Sequence, residues 1–214
     1  MPANLINISI LILAWTGFFS IHSILASISA KEAIHKRFPH FSPYYRLIYN
    51  ISSLILLIPI FLFSHSINSP TLWQWQGTMK VFSTIVLLLA AGAFLFTLRY
   101  YDSSEFIGTK QIGAKDKESK GEDLFTLSPL HRYVRHPWYF LAISIIWTRD
   151  MNLVFFVTAT MVTSYFIIGS KLEERKLIHY YGEKYERYIS AVPGIFPLPW
   201  RHITKKEAED LIKL

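Results

Sequence analysis

RYVRHPWYFLAISIIWTRD (residues 132–150) joins a basic, proline-containing segment directly to an apolar run. Pro137 has no backbone N–H and breaks a helix that tries to pass through it, so a helix starts here rather than continuing from upstream. The apolar run Trp138–Thr148 holds only 11 residues. That is about 16 Å of helix, short of the roughly 20 residues that a bilayer crossing needs. The run therefore either borrows length from the preceding LHRYVRHP or forms a short hairpin with the next apolar block, with Arg149–Asp150 at the tip.

Working outward, three apolar blocks precede this stretch, Leu5–Ile28, Leu47–Phe63 and Val81–Leu98, and one follows it, Leu153–Ile168. The chain is 51% hydrophobic and 17% charged, with a mean hydropathy of +0.28, too apolar for an ordinary soluble domain. It contains no cysteine, which excludes a disulfide framework, a thiolate zinc site and a cysteine nucleophile. No metal is expected. The predicted fold is all-α: a polytopic membrane protein of about five transmembrane helices. Helices 4 and 5 form a hairpin, followed by a C-terminal helix. The predicted division is a three-helix membrane region over residues 1–98, a motif region over 99–200 and an amphipathic tail over 201–214.

The net charge of +7 points to basic loops at a membrane rather than to nucleic acid. Lys31, Lys36, Arg37 and Arg46 lie between the first two blocks, and seven Lys or Arg lie between the third block and Pro137. Nine more follow Gly169, while only Lys80 and Arg149 fall in the other loops. The positive-inside rule then places the N-terminus outside and the C-terminus in the cytoplasm of a cell membrane. ASISA at 26–30 faintly resembles a signal-peptidase site. However, no basic residue precedes the long apolar run, so the segment reads as a retained anchor.

The polar residues collect on one side, in 99–137 and 170–214, and within them GAKDKESKGED reads as a solvated charge run. Ser128 and Pro129 form an N-cap and first helical position. A helical turn from there is interrupted at His136–Pro137, and backbone groups freed near membrane depth need protein, water or a ligand as partner. Glu173 and Glu174 stand close after the apolar Ile168, where a carboxylate also needs a partner. His22, inside the first block, is a functional candidate for the same reason, and Asn50 and Arg46 can face it along an acceptor path.

RYVRHPWY, followed by LEERKLIHYYGEKYERYISAVPGIFP, resembles the C-terminal signature of the isoprenylcysteine carboxyl methyltransferase-like and phospholipid methyltransferase-like membrane enzymes. HSILAS (22–27), YYRLIYN (44–50) and FIGTKQ (106–111) are more similar to the branch with NnrU-like proteins and methanethiol methyltransferases. The resemblance implies methyl transfer from S-adenosylmethionine, bound from the cytoplasm, to a small-molecule or lipid-like acceptor from the bilayer. It implies that His136, Pro137 and Tyr139 line the cofactor pocket, with backbone contacts from Leu124, Phe125 and Thr126. Glu173 contacts the cofactor as well, and Gln111 matches an upstream glutamine loosely. His131 stands where the family usually has a tyrosine. Prenylcysteine enzymes carry an arginine four residues before the glutamate, where this chain has Gly169, which disfavours a prenylcysteine carboxylate and favours a thiol or lipid-like acceptor.

The residue types suit that chemistry. In-line methyl transfer asks mainly for orientation and exclusion of water. Glu173 can take the cofactor's amino group and Arg135 its carboxylate. Tyr139, Trp138, Tyr181 and Tyr185 offer aromatic faces to a sulfonium, with Tyr185 also at the acceptor. Arg135 and His136 are the catalytic candidates, and His136 or His131 can assist deprotonation of a thiol. Glu174, about 100° round the helix from Glu173, is expected to matter less. Prenylcysteine methylation, a non-catalytic accessory role and an NADPH-dependent membrane reductase are the alternatives.

Overall fold

A computed structural model describes residues 2–113 and 127–213. The described parts of Met1–Gln74, Ser103–Glu118 and Asp150–Tyr165 form one compact unit, and those of Trp75–Asp102, Ser119–Arg149 and Phe166–Leu214 form another.

In the first unit, α1 (Leu5–Leu25) starts at Asn4, whose side chain accepts the Asn7 N–H at 2.9 Å. It ends earlier than the apolar pattern, at Ala26. Ser27 then caps a new helix, α2 (Ile28–Arg37), by accepting the Ala30 N–H. After a 3-10 turn over Pro39–Tyr44 comes α3 (Tyr45–Ser66). Leu11, Trp15 and Phe18 of α1 bury against Ile60 and Ile67, and against Val154 at the start of a long helix. Many other large apolar side chains of α1 and α3 face outward, including Leu5, Leu13, Leu54 and Leu62. Surface of that kind suits hydrocarbon and not water. The unit also holds two short helices, α5 (Ser103–Ile107) and α6 (Lys110–Gly113).

A purely helical fold was expected, and one small correction applies. Strand β1 (Thr71–Trp73) pairs antiparallel with β2 (Met151–Asn152), Thr71 opposite Asn152 and Trp73 opposite Met151. Short loop segments have no periodic pattern that would announce this pairing.

In the second unit, α4 (Gly77–Leu98) packs on α7 (Pro137–Trp147), with Trp138 Nε1 donating to Thr97 Oγ1 at 2.9 Å. Before α7, a 3-10 turn over Pro129–Arg132 starts at Ser128, as the sequence indicates. The last long helix, α8 (Leu153–Tyr181), begins in the first unit and carries Phe166–Tyr181 in the second. The helix continues past the apolar block, and Glu173 and Glu174 lie on the part of it that belongs to the second unit. Gly182 ends it at φ +53°, a conformation glycine adopts without a side-chain clash. Helices α9 (Glu183–Ala191) and α10 (Lys205–Lys213) follow, and their apolar faces close a second core of Tyr185, Tyr188, Val192, Ile203 and Ala208.

Among the described residues, four helices are long and apolar enough to cross a membrane: Leu5–Leu25, Pro39–Ser66, Gly77–Leu98 and Leu153–Tyr181. The 11-residue α7 is apolar but shorter.

Candidate functional site

Glu173, Glu174 and His136, with His131 close by, meet in the second unit, at the break before α7. His136 is the residue before the first helical position, with Pro137 following it. Its backbone N–H and that of Arg135 do not enter α7. They donate to the carbonyls of Gly194 at 3.1 Å and Pro193 at 2.9 Å, so the interrupted backbone is satisfied by the C-terminal segment. This fixes the His136 ring at the mouth of the helix.

The imidazole lies between two carboxylates. Its Nε2 is 3.1 Å from Glu174 Oε1 and its Nδ1 is 3.4 Å from Glu173 Oε2. Burial lowers the His136 pKa, but hydrogen bonds and charge from Glu173 and Glu174 outweigh it and leave the pKa raised.

The two glutamates differ sharply in setting. The Glu174 side chain is 7% exposed and that of Glu173 is 47% exposed. Glu174 Oε1 accepts from Arg135 Nε at 2.9 Å and Nη2 at 2.6 Å, and Oε2 accepts from Lys171 Nζ at 3.1 Å. Arg135 donates its remaining Nη1 group to the carbonyls of Ile189 and Val192. Its guanidinium is thus bound to protein acceptors in a buried position. Glu173 instead receives the Tyr139 hydroxyl on Oε2 at 3.0 Å, and its Oε1 has no hydrogen-bond donor among the described residues. Tyr139 stacks on the His136 ring at 5.3 Å and on Phe166 at 4.7 Å. The arrangement presents one half-exposed carboxylate, steadied from behind by a hydroxyl and an imidazole. It can hold a ligand ammonium or another cationic group.

His131 sits on the 3-10 turn. Its Nδ1 accepts the Ser128 N–H at 3.0 Å, closing a capping box, and its Nε2 lies 3.5 Å from the Tyr101 hydroxyl. A neutral ring whose Nδ1 accepts must carry its proton on Nε2. Burial first, and then the neighbouring His136 charge, lower its pKa to about 4, so it is neutral. Tyr101, pushed up to about 12 by burial and by Glu173, keeps its proton. His131 stands where the resemblance led to the expectation of a tyrosine, and a tyrosine hydroxyl lies beside it.

Tyr185 is fully buried beside Tyr188 in the second core, where burial raises its pKa. The Tyr188 hydroxyl donates to the His131 carbonyl at 2.6 Å. Tyr101 and Glu174 were not among the sequence candidates for contact with a ligand. Tyr101 had only its place just beyond a basic helix end as a signal, and Glu174 was visible merely as the second residue of a Glu-Glu pair.

The remaining candidates belong to the first unit. His22 Nε2 is 2.6 Å from the Tyr49 hydroxyl and its Nδ1 is 3.0 Å from Ser53 Oγ. Asn50 does not face His22. Its amide donates to the carbonyls of Phe106 at 3.1 Å and Ile107 at 2.9 Å, fastening α5 to α3. Gly108, at φ +102°, allows that approach, because a Cβ there would stand 2.7 Å from the Leu47 nitrogen and 3.0 Å from Arg46. Arg46 thus flanks the α5 junction. Gln111 Nε2 donates to the Glu105 carbonyl at 3.3 Å, while its Oε1 is buried without a partner among the described residues. Leu124, Phe125 and Thr126 lie outside the described residues.

The chain is similar to curated proteins along most of its length. It is 29% identical over 189 residues to the methanethiol S-methyltransferase of Pseudomonas deceptionensis, covering 87% of this chain and 71% of that protein. It is 28% identical over 206 residues to that of Crocosphaera subtropica, covering 92% and 76%. A third, from a Pseudomonas species, is 30% identical over 155 residues, covering 71% and 59%. These are distant homologues. No family model matches the chain. No solved structure matches it.

Proposed function

We propose that this chain is a multi-pass membrane methyltransferase that transfers the methyl group of S-adenosylmethionine to a small thiol. The similarity to methanethiol S-methyltransferases over 87% of the chain carries the reading. The donor set at the break before α7 fits the cofactor, because a half-exposed carboxylate with one uncommitted oxygen suits its ammonium group. Bound there, the cofactor would supply an electrophilic methyl on a sulfonium.

Glu173 holds the ammonium. Tyr139 donates to Glu173 and limits its rotation. His136 draws Glu173 and Glu174 toward one ring. Arg135 is a positioning residue in this scheme, since its donors are bound to Glu174 and to backbone carbonyls. His131 likewise shapes the pocket wall. Its Nδ1 lone pair is occupied by the Ser128 N–H and Nε2 bears the proton, so it does not deprotonate the thiol. Tyr185 acts through packing.

The chain crosses the bilayer about five times, with α7 pairing with α8 and the basic ends of the helices in the cytoplasm, so the cofactor enters from that side. The choice of a thiol over a prenylcysteine carboxylate rests on Gly169 and on the relatives' stated substrate. The experiment is calorimetric binding of S-adenosylmethionine and NADPH to the detergent-purified chain. It is joined to turnover with methanethiol, phosphatidylethanolamine and acetyl-farnesylcysteine. Cofactor binding with turnover of methanethiol is expected. Binding of NADPH alone, or turnover of farnesylcysteine alone, would overturn the reading.

A further inference from the structure

The second unit contains an apolar crevice of about 300 Å³, separate from the carboxylate site. Leu89 and Ala93 of α4, Phe140 and Leu141 of α7, and Leu130 and Pro197 line it, with Tyr133 at its exposed edge. Ala93 and Leu89 lie five and nine residues before the end of α4 at Leu98, so the crevice runs from roughly 8 to 14 Å below that helix end. Phe140 and Leu141 lie in the first turns of α7. The crevice therefore opens at the level where the membrane-spanning part of this unit meets its polar layer.

Basic side chains gather at this rim. The Arg132 guanidinium lies 5.6 Å from the Tyr133 ring, and the His202 ring stacks on the same tyrosine at 5.8 Å. Arg132 donates Nε to the Ile203 carbonyl, and its two terminal nitrogens have no acceptor among the described residues. Arg99 lies over Phe96 at the same end of α4. Trp200, 76% exposed, and the exposed Phe196 lie in the segment that supplies Pro197. Exposed aromatics beside basic residues are the signature of the headgroup level.

We infer that this crevice binds one acyl chain of an anionic glycerophospholipid, whose phosphate rests on Arg132. The volume is at the low end of ligand pockets. It is too small for a whole lipid and suited to part of one chain. The basic rim supplies the charge complementarity, and the positive-inside orientation places it in the leaflet that holds anionic lipids. The site lies outside the methyl-transfer machinery, so a structural lipid is the role assigned to the occupant.

The test is native mass spectrometry of the full-length chain in detergent with phosphatidylglycerol and phosphatidylcholine of identical acyl chains. One phosphatidylglycerol should be retained with a preference of about fivefold, the effect of one well-placed basic residue. Arg132→Gln should erase the preference and Arg132→Lys should keep it. Ala93→Phe, which fills the crevice, should remove the retained lipid. Leu89→Trp gives the same readout should Ala93→Phe fail to fold. Inorganic phosphate at millimolar concentration should not displace the lipid. Equal retention of the two lipids would identify ordinary annular lipid and overturn the inference. So would full retention in the filled variants, or displacement by inorganic phosphate.

Discussion

Replacing Glu174 with Gln should destabilise the protein far more than the same change at Glu173. Glu174 is the hub of the second unit's charge network. It accepts from Arg135 twice, at 2.9 and 2.6 Å, from His136 at 3.1 Å and from Lys171 at 3.1 Å. Lys171 is mostly exposed, so its share is small. Arg135 is buried and has no other carboxylate partner among the described residues, so the substitution leaves its guanidinium without an anion, while His136 keeps only Glu173. Removing one partner of a buried ion pair costs about 3–5 kcal/mol. Gln retains one acceptor oxygen but turns an NH₂ toward the guanidinium, so a loss of about 3 kcal/mol or more is expected. Denaturant titration of the detergent-solubilised chain, read by tryptophan fluorescence, measures it, with the exposed Glu183→Gln as control. A loss below about 1 kcal/mol, comparable to the control, would refute the assignment of Glu174 as the buried counter-charge.

Glu173→Gln should leave the fold intact and weaken S-adenosylmethionine binding about ten- to hundredfold by calorimetry, from the loss of one charge-assisted bond of about 1.5–3 kcal/mol; unchanged affinity would remove Glu173 from the site. Because the folded pKa of His136 is raised, its stabilisation is present below the unfolded value near 6.5 and lost as pH rises through the folded value. The unfolding free energy should therefore decline on the alkaline side, and that decline should disappear in His136→Gln. His131 has the opposite sign. Its pKa, lowered to about 4, gives stability above about 6.5 that is lost as pH falls, so His131→Gln should flatten the acid limb. Gly108→Ala should lose about 1–3 kcal/mol of stability, since the position combines φ +102° with a 2.7 Å approach to the Leu47 nitrogen. Single cysteines at Gln76 and Ser190, in a chain with no others, should react with impermeant maleimide from opposite sides of the membrane; reaction from the same side would refute the orientation.

The apolar blocks, the helix starts at Ser128 and Pro137 and the charge bias are legible because each depends on near neighbours and on the solvent. A run of Leu, Ile and Phe needs hydrocarbon around it whatever packs beside it, and Pro137 cannot donate a hydrogen bond in any fold. The grouping of His136, Tyr139 and Glu173 was readable through family resemblance, and the structure does bring these three side chains together. The ranking of the two glutamates was not readable. Neighbouring helix positions point about 100° apart, and nothing local says which one turns inward. That was decided by Arg135 and His136, 39 and 38 residues away in the chain.

The same limit explains the other differences. Arg135 looks like a free cation in sequence, yet the carbonyls of Ile189 and Val192 and the carboxylate of Glu174 bind it. His131 looks like a base, yet its Nδ1 is taken by the backbone of Ser128. His22 has Tyr49 and Ser53 as partners, and Asn50 turns to the carbonyls of residues 106 and 107. Sequence by itself determined which residues can carry charge, donate protons or tolerate hydrocarbon. Tertiary structure alone decided which of those capacities are spent inside the fold and which, as at Glu173, remain open to a ligand, because hydrogen-bond partners are assigned by distance in space and not along the chain.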